Sequence, residues 1–243
     1  MPAEILFYIL LPLVAFLYAS VGHGGASGYL ALMVLFSFAP EVMRPTALVL
    51  NLVVSIVAFS QYYRQGHFDW RLFWPFAVAS IPAAFIGGLL VMDGMIYKKV
   101  LGILLLISVI RLLMSGKNKL TELHPPQLVV ALAIGGVIGF LSGLIGIGGG
   151  IILSPVILLL HWADMKKTAA VSALFIFVNS IAGLAGLMTK GFEFTSQMTL
   201  MIGLAFAGGL LGSWLGAGRL ANAQLRWVLA VVLVIASVKL LTT

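Results

Sequence analysis

The residues best placed to do chemistry in this chain are glycines in two clusters. One is Gly22, Gly24 and Gly25 around His23, with Ser27 close behind; the other is Gly146, Gly148, Gly149 and Gly150 around Ile147. Clustered glycines let backbone N–H groups converge without side-chain obstruction, and a helix that starts after them adds the positive end of its dipole. Each cluster therefore predicts an anion site. His23 adds a titratable ring that could donate to an anion or carry a proton, and Ile147 replaces it in the second cluster. Ser27 offers at most one hydrogen bond to a substrate. Asn51 and Asn179 lie inside apolar segments, where an amide needs a partner; substrate contact and helix-to-helix bonding both fit them.

Other chemistries are excluded by what the chain lacks. It has no Cys, and its four His (His23, His67, His124, His161) form no ligand-spaced cluster, so no metal or cofactor is expected. No Gly-x-x-x-x-Gly-Lys-Ser/Thr phosphate loop occurs, which removes ATP hydrolysis by that route. Gly25-Ala26-Ser27-Gly28 fits the Gly-x-Ser-Gly pattern of intramembrane serine proteases. Such an enzyme needs a membrane-embedded His on another helix, and His67, His124 and His161 sit at segment ends, so no catalytic residue is expected.

The elements that must position these residues are membrane helices. Of the 243 residues, 62% are apolar and only 9% charged, where a soluble globular surface needs about a quarter. The formal net charge of +7 is spread between apolar segments rather than gathered in a stripe, which argues against a nucleic-acid partner. The Met-Pro-Ala-Glu start lacks a positive n-region, so the first apolar segment is expected to stay in the protein.

Two apolar segments of about 35 residues, Glu4 to Phe38 and Gln127 to His161, contain the glycine clusters. Hydrocarbon tolerates such breaks only where they are buried or line a cavity. Between and after them run Thr46 to Tyr63, Leu72 to Met92, Ile96 to Met114, Thr168 to Met188, Thr195 to Ala217 and Leu225 to Leu241, each long enough to cross ~30 Å of hydrocarbon or close to it. Gly22-His23-Gly24-Gly25 matches Gly146-Ile147-Gly148-Gly149 at an offset of 124, and Met43 to Ala47 matches Met165 to Ala169. The expected organisation is one transmembrane domain over 1–243 made of two homologous halves, 1–114 and 127–243, joined by a polar linker, 115–126.

If each broken segment crosses fully, the halves are parallel and the basic residues divide evenly. If each enters and returns as a hairpin, the halves are inverted, and Arg64, Arg71, Arg111, Lys117, Lys119, Lys166, Lys167, Arg219 and Arg226 gather on one side, nine of the 14. The positive-inside rule favours the inverted, all-α arrangement of a re-entrant hairpin plus three transmembrane helices per half. Tyr62, Tyr63, Trp70, Trp74, Tyr97, Trp162 and Trp227 fall near segment ends as an aromatic belt would, and Thr46 and Thr168 read as helix N-caps. The pairs Gly87-Gly88, Gly135-Gly136 and Gly208-Gly209 read as helix packing.

Duplicated halves, four apolar segments in each, and the Gly22-His23-Gly24-Gly25 and Gly146 to Gly150 breaks together resemble the TauE/SafE family of membrane permeases over essentially the whole chain. The resemblance implies secondary transport, usually outward, of sulfite or organosulfur anions such as sulfonates. It further implies a bacterial inner-membrane setting, with a proton or sodium ion as coupling partner and a homo-oligomer as a possible assembly. A passive anion channel would use the same glycine sites without coupling.

Overall fold

The computed structural model describes residues 2–20, 22–114, 123–189, 191, 195–218, 233–235 and 237–242. Among these residues the chain is helical without a strand: α1 (Pro2–Ala19), α2 (Ala26–Leu35), α3 (Pro40–Arg64), α4 (Trp70–Leu89), α5 (Gly94–Met114), α6 (Leu128–Ile145), α7 (Gly150–Leu159), α8 (Met165–Met188) and α9 (Ser196–Gly218). Residues 233–235 and 237–242 are helical as well. Trp227, Lys117, Lys119, Lys190, Arg219, Arg226, most of the expected linker and the first part of the last expected segment lie outside the described residues. α3, α4, α6, α8 and α9 are long and apolar enough to cross a membrane.

Each glycine-broken segment doubles back on itself. Phe7 near the start of α1 meets Phe36 and Phe38 beyond the end of α2, with ring centroids 5.5 and 5.0 Å apart, and Gly28 of α2 lies against Val14 and Tyr18 of α1. In the second segment the His124 N–H donates to the His161 carbonyl at 2.9 Å, and Gly149 abuts Ile138 and Ser142 of α6. The turn is made by left-handed glycines. Gly22 (φ 74°) ends α1 with its own N–H on the Ala19 carbonyl and the His23 N–H on the Tyr18 carbonyl, both at 3.0 Å, the double bond pattern of a Schellman cap. Gly146 (φ 90°) ends α6 in the same backbone region.

α3 and α8 form the centre. α4 packs on α6 and α8, and α9 packs on α1 and α3, so the contacts of one half are mirrored by the other. Close approach depends on small residues, because lipid offers no hydrophobic drive for helices to associate. Gly135, Gly139 and Gly143, spaced one turn apart on α6, press on the backbone of Phe76, Ser80 and Ala84 of α4. Gly208 and Gly212 of α9 do the same to Pro12 and Phe16 of α1, while Gly87 and Gly88 meet Phe140 and Gly183. The glycine pairs read as packing sites do pack.

Several end-of-segment expectations change. α3 starts at Pro40, ahead of Thr46, because Pro is favoured at the first helical position and Glu41 joins it in the first turn. Thr46 is therefore no cap; its hydroxyl donates to the Val42 carbonyl at 2.6 Å. α8 is capped by Asp164, whose carboxylate accepts the Lys166 and Lys167 N–H groups, so Thr168 is no cap either. Tyr63, Trp70 and Trp74 are exposed as an interfacial belt requires, but Tyr62 and Tyr97 are buried. Their hydroxyls donate to the last carbonyls of the first hairpin arms, Tyr62 to Ser20 at 3.4 Å and Tyr97 to Ile145 at 3.0 Å.

Arg44 is the strongest of these end caps. Only 7% exposed, it donates to the carbonyls of Gly87, Gly88 and Leu90 at the end of α4 (2.9, 2.9 and 2.8 Å) and twice to Gly143 of α6 (3.1 and 2.8 Å). A cation belongs at a helix C-terminus, and a buried charge needs such bonds. Arg44→Met is expected to cost at least about 2 kcal/mol, with Arg44→Lys recovering part because an ammonium has three donors for these four carbonyls. Denaturation midpoints in mixed micelles test this; an unchanged midpoint in Arg44→Met would show the latch to be dispensable.

Candidate functional site

The two glycine breaks meet at the middle of α3 and α8. A Cβ placed on Gly24 would lie 2.8 Å from Asn51 Oδ1 and 2.8 Å from Ile176 Cγ2; one placed on Gly148 would lie 2.6 Å from Asn51 Nδ2 and 2.8 Å from Ile176 Cγ2. One amide is thus flanked by both breaks, and only glycine leaves it room. Gly24 needs to be glycine for this close approach, since its φ is not in the left-handed region, whereas Gly148 (φ 72°) and Gly149 (φ 77°) need both space and conformation.

α2 and α7 start from these breaks. Their N-cap residues, Gly25 (φ 93°) and Gly149, are left-handed, and no side chain caps either helix. The first-turn N–H groups of a helix have no intrahelical partner, and two such ends bring partial positive charge to the centre of the protein.

Polar atoms without partners surround this point. Asn51 is fully buried, and neither its Oδ1 nor its Nδ2 has a hydrogen-bond partner among the described residues. Ser142, whose Cβ is 3.5 Å from a Cβ built on Gly149, is buried with an unpartnered hydroxyl. Asn179 gives its Nδ2 to the Phe175 carbonyl at 2.8 Å and keeps an unpartnered Oδ1. Asn179 stands on α8 one turn beyond Phe175 and Ile176, the residues that the break glycines meet. Each unpartnered buried group costs roughly 1–3 kcal/mol, which a ligand at this point would relieve.

His23 links the hairpins. Only 4% exposed, its Nε2 lies 3.0 Å from Ser154 Oγ of α7, which lies 2.8 Å from Ser172 Oγ of α8. The Ser154 hydroxyl also lies 2.9 Å from the Gly150 carbonyl, its own helix's acceptor one turn back, so one hydroxyl ties the His23 ring, α7 and α8 together. The remaining expected site glycines shape the turns: Gly22 rests on Ala169, Gly25 on the Tyr29 ring, Gly146 on the Arg44 backbone and Gly150 on Ile176. Ser142, Ser154 and Ser172 escaped the sequence reading. Ser142 and Ser154 each stand four residues outside the Gly146 to Gly150 cluster, spacing that returns a helical side chain to the break.

Ser27 is turned to α1, its hydroxyl donating to Tyr18 Oη at 2.9 Å. Among the described residues no cluster of His, Asp or Glu could hold a metal. Ser27→Ala is accordingly expected to lose about 1 kcal/mol of stability at most and to keep function. Covalent labelling of wild-type Ser27 by a fluorophosphonate would contradict this and point to a nucleophile.

The family model described as Sulfite exporter TauE/SafE matches residues 7–240. The chain is 38% identical over 232 residues, 94% of each chain, to the probable membrane transporter protein y4hK of Sinorhizobium fredii. It is 26% identical over 239 residues, covering 90% of this chain and 92% of the relative, to the probable membrane transporter protein YjnA of Bacillus subtilis. No solved structure matches. With apolar helices long enough to span a bilayer and a match running through both hairpins, the chain belongs to the TauE/SafE family and is a multi-pass membrane transporter, not an enzyme.

Proposed function

We propose that this transporter is a secondary exporter of small anions of the sulfite and organosulfur class, held where the Gly24 and Gly148 breaks flank Asn51. The observation that carries the reading is the Asn51 amide, fully buried and unpartnered between two helices that start without side-chain caps. Donors at helix N-termini suit an anion, and the family description names a sulfite exporter. Gly22, His23, Gly25, Ser27, Gly146, Gly149, Gly150 and Asn179 shape or border the site in this reading. Proton or sodium coupling supplies the energy.

The halves 1–114 and 127–243 are inverted repeats in this proposal, supported by the two doubled-back segments and by the exchange of contacts α1–α9 with α6–α4 and α3–α9 with α8–α4. Each hairpin then opens toward its own side of the membrane, and the anion between the tips faces one side at a time. In a Cys-free chain, new Cys at Gln65 and Thr189 should be labelled from opposite sides, whereas parallel halves would put them on the same side; labelling from the same side would exclude inversion.

The site itself is tested by Gly24→Val and Gly149→Val. A branched side chain at Gly24 presses on Asn51 and Ile176, and at Gly149 it meets Ile138 and Phe175 and disfavours the left-handed φ. Both are expected to lower anion flux per inserted molecule in proteoliposomes by at least about tenfold, the effect of 1.4 kcal/mol. Gly208→Val, which crowds Pro12, should mainly reduce the amount of folded protein. Wild-type flux in both break variants would remove the breaks from the path. Flux that persists without any ion gradient, down the anion's own gradient alone and without counter-ion movement, would favour the channel.

A further inference from the structure

The donors and acceptors at this site are not of one kind, and the difference bears on which anion fits. The N–H groups that open α2 and α7 are donors only, and the Ser142 hydroxyl can donate as well. An anion whose oxygens only accept would satisfy these and Asn51 Nδ2. It would leave Asn51 Oδ1 facing lone pairs. Because both amide atoms are unpartnered, turning the amide over changes nothing: one acceptor always remains, in a position only 2.6–2.8 Å from a Cβ built on either break glycine. Asn179 Oδ1, on α8 one turn beyond Phe175, is a second unpartnered buried acceptor.

We infer that Asn51 makes the site selective for a monoanionic oxyanion that carries one O–H, such as a hydrogen-oxyanion, over an acceptor-only sulfonate of the same size and charge. This rests on the proposed anion site and narrows its ligand. A site built to bond a ligand's hydroxyl rejects the analogue lacking it, because its own acceptor stays unsatisfied.

The test uses two near-isosteric probes, methylphosphonate as its monoanion, which has a P–OH, and methanesulfonate, which has none. Both are titrated calorimetrically into the full-length protein in nanodiscs at one pH, so that His23 is in the same state in both. Wild type should bind the methylphosphonate monoanion roughly five- to a hundredfold more tightly, the range spanned by one unsatisfied buried acceptor. Asn51→Leu, or Asn51→Ala if the leucine variant does not insert, should bring the ratio near one. Equal or tighter binding of methanesulfonate by wild type overturns the inference and leaves the anion site standing. A preference that survives loss of the amide overturns the assignment to Asn51. Binding of neither probe overturns the site together with its selectivity.

Discussion

A helix that stops inside hydrocarbon exposes backbone groups that no water can satisfy, and this constraint accounts for the long-range hydrogen bonds of Arg44, Tyr62, Tyr97 and Lys239. At the C-terminal ends the debt is met from another element. Tyr62 caps the α1 end at Ser20, Tyr97 caps α6 at Ile145, Arg44 caps α4, and the Lys239 ammonium reaches the Val34 and Leu35 carbonyls at the end of α2 at 2.9 and 3.2 Å. At the breaks, the N-terminal ends of α2 and α7 follow left-handed glycines and have no such side chain. The contrast between finished carbonyl ends and unfinished N–H ends is what gives the centre its donor character.

The helix breaks were legible because their cause is local, glycine clusters inside apolar runs, whereas the doubling back of each segment was favoured only by the distribution of basic residues. The packing role of Gly87, Gly135 and Gly208 was legible for a similar reason, since small residues in membrane helices have few other uses. What could not be read were partners distant in sequence. Arg44 counts as a flanking charge until it is seen on Gly143, 99 residues away, and His23 finds Ser154 across 131 residues. Tyr62 and Tyr97 misled for the same reason, since an aromatic near a segment end suits a lipid interface or a carbonyl cap equally well. Asn51 was singled out as a buried amide, yet its position between both breaks depends on how the two hairpins meet.

The likeness between the two glycine breaks stops at one residue. His23 stands where the second break has Ile147, and its hydrogen-bond chain runs through Ser154 and Ser172, on the second hairpin and α8. The ring therefore ties the first hairpin to α7 and, through Ser154, to α8.

The glycine seams also set an order for biogenesis. α6 leaves the ribosome with its partner α4 already made, so Gly135, Gly139 and Gly143 can dock as soon as they are inserted. α1 has no such neighbour: its counterpart face, around Gly208 and Gly212, is synthesised almost at the end of the chain. Through most of translation the first hairpin must wait with its polar break unsheltered by α8 and its α1 face unpaired. A nascent chain halted before α9 would be left with a half-built membrane domain, the kind of species that insertion chaperones hold and quality-control proteases remove.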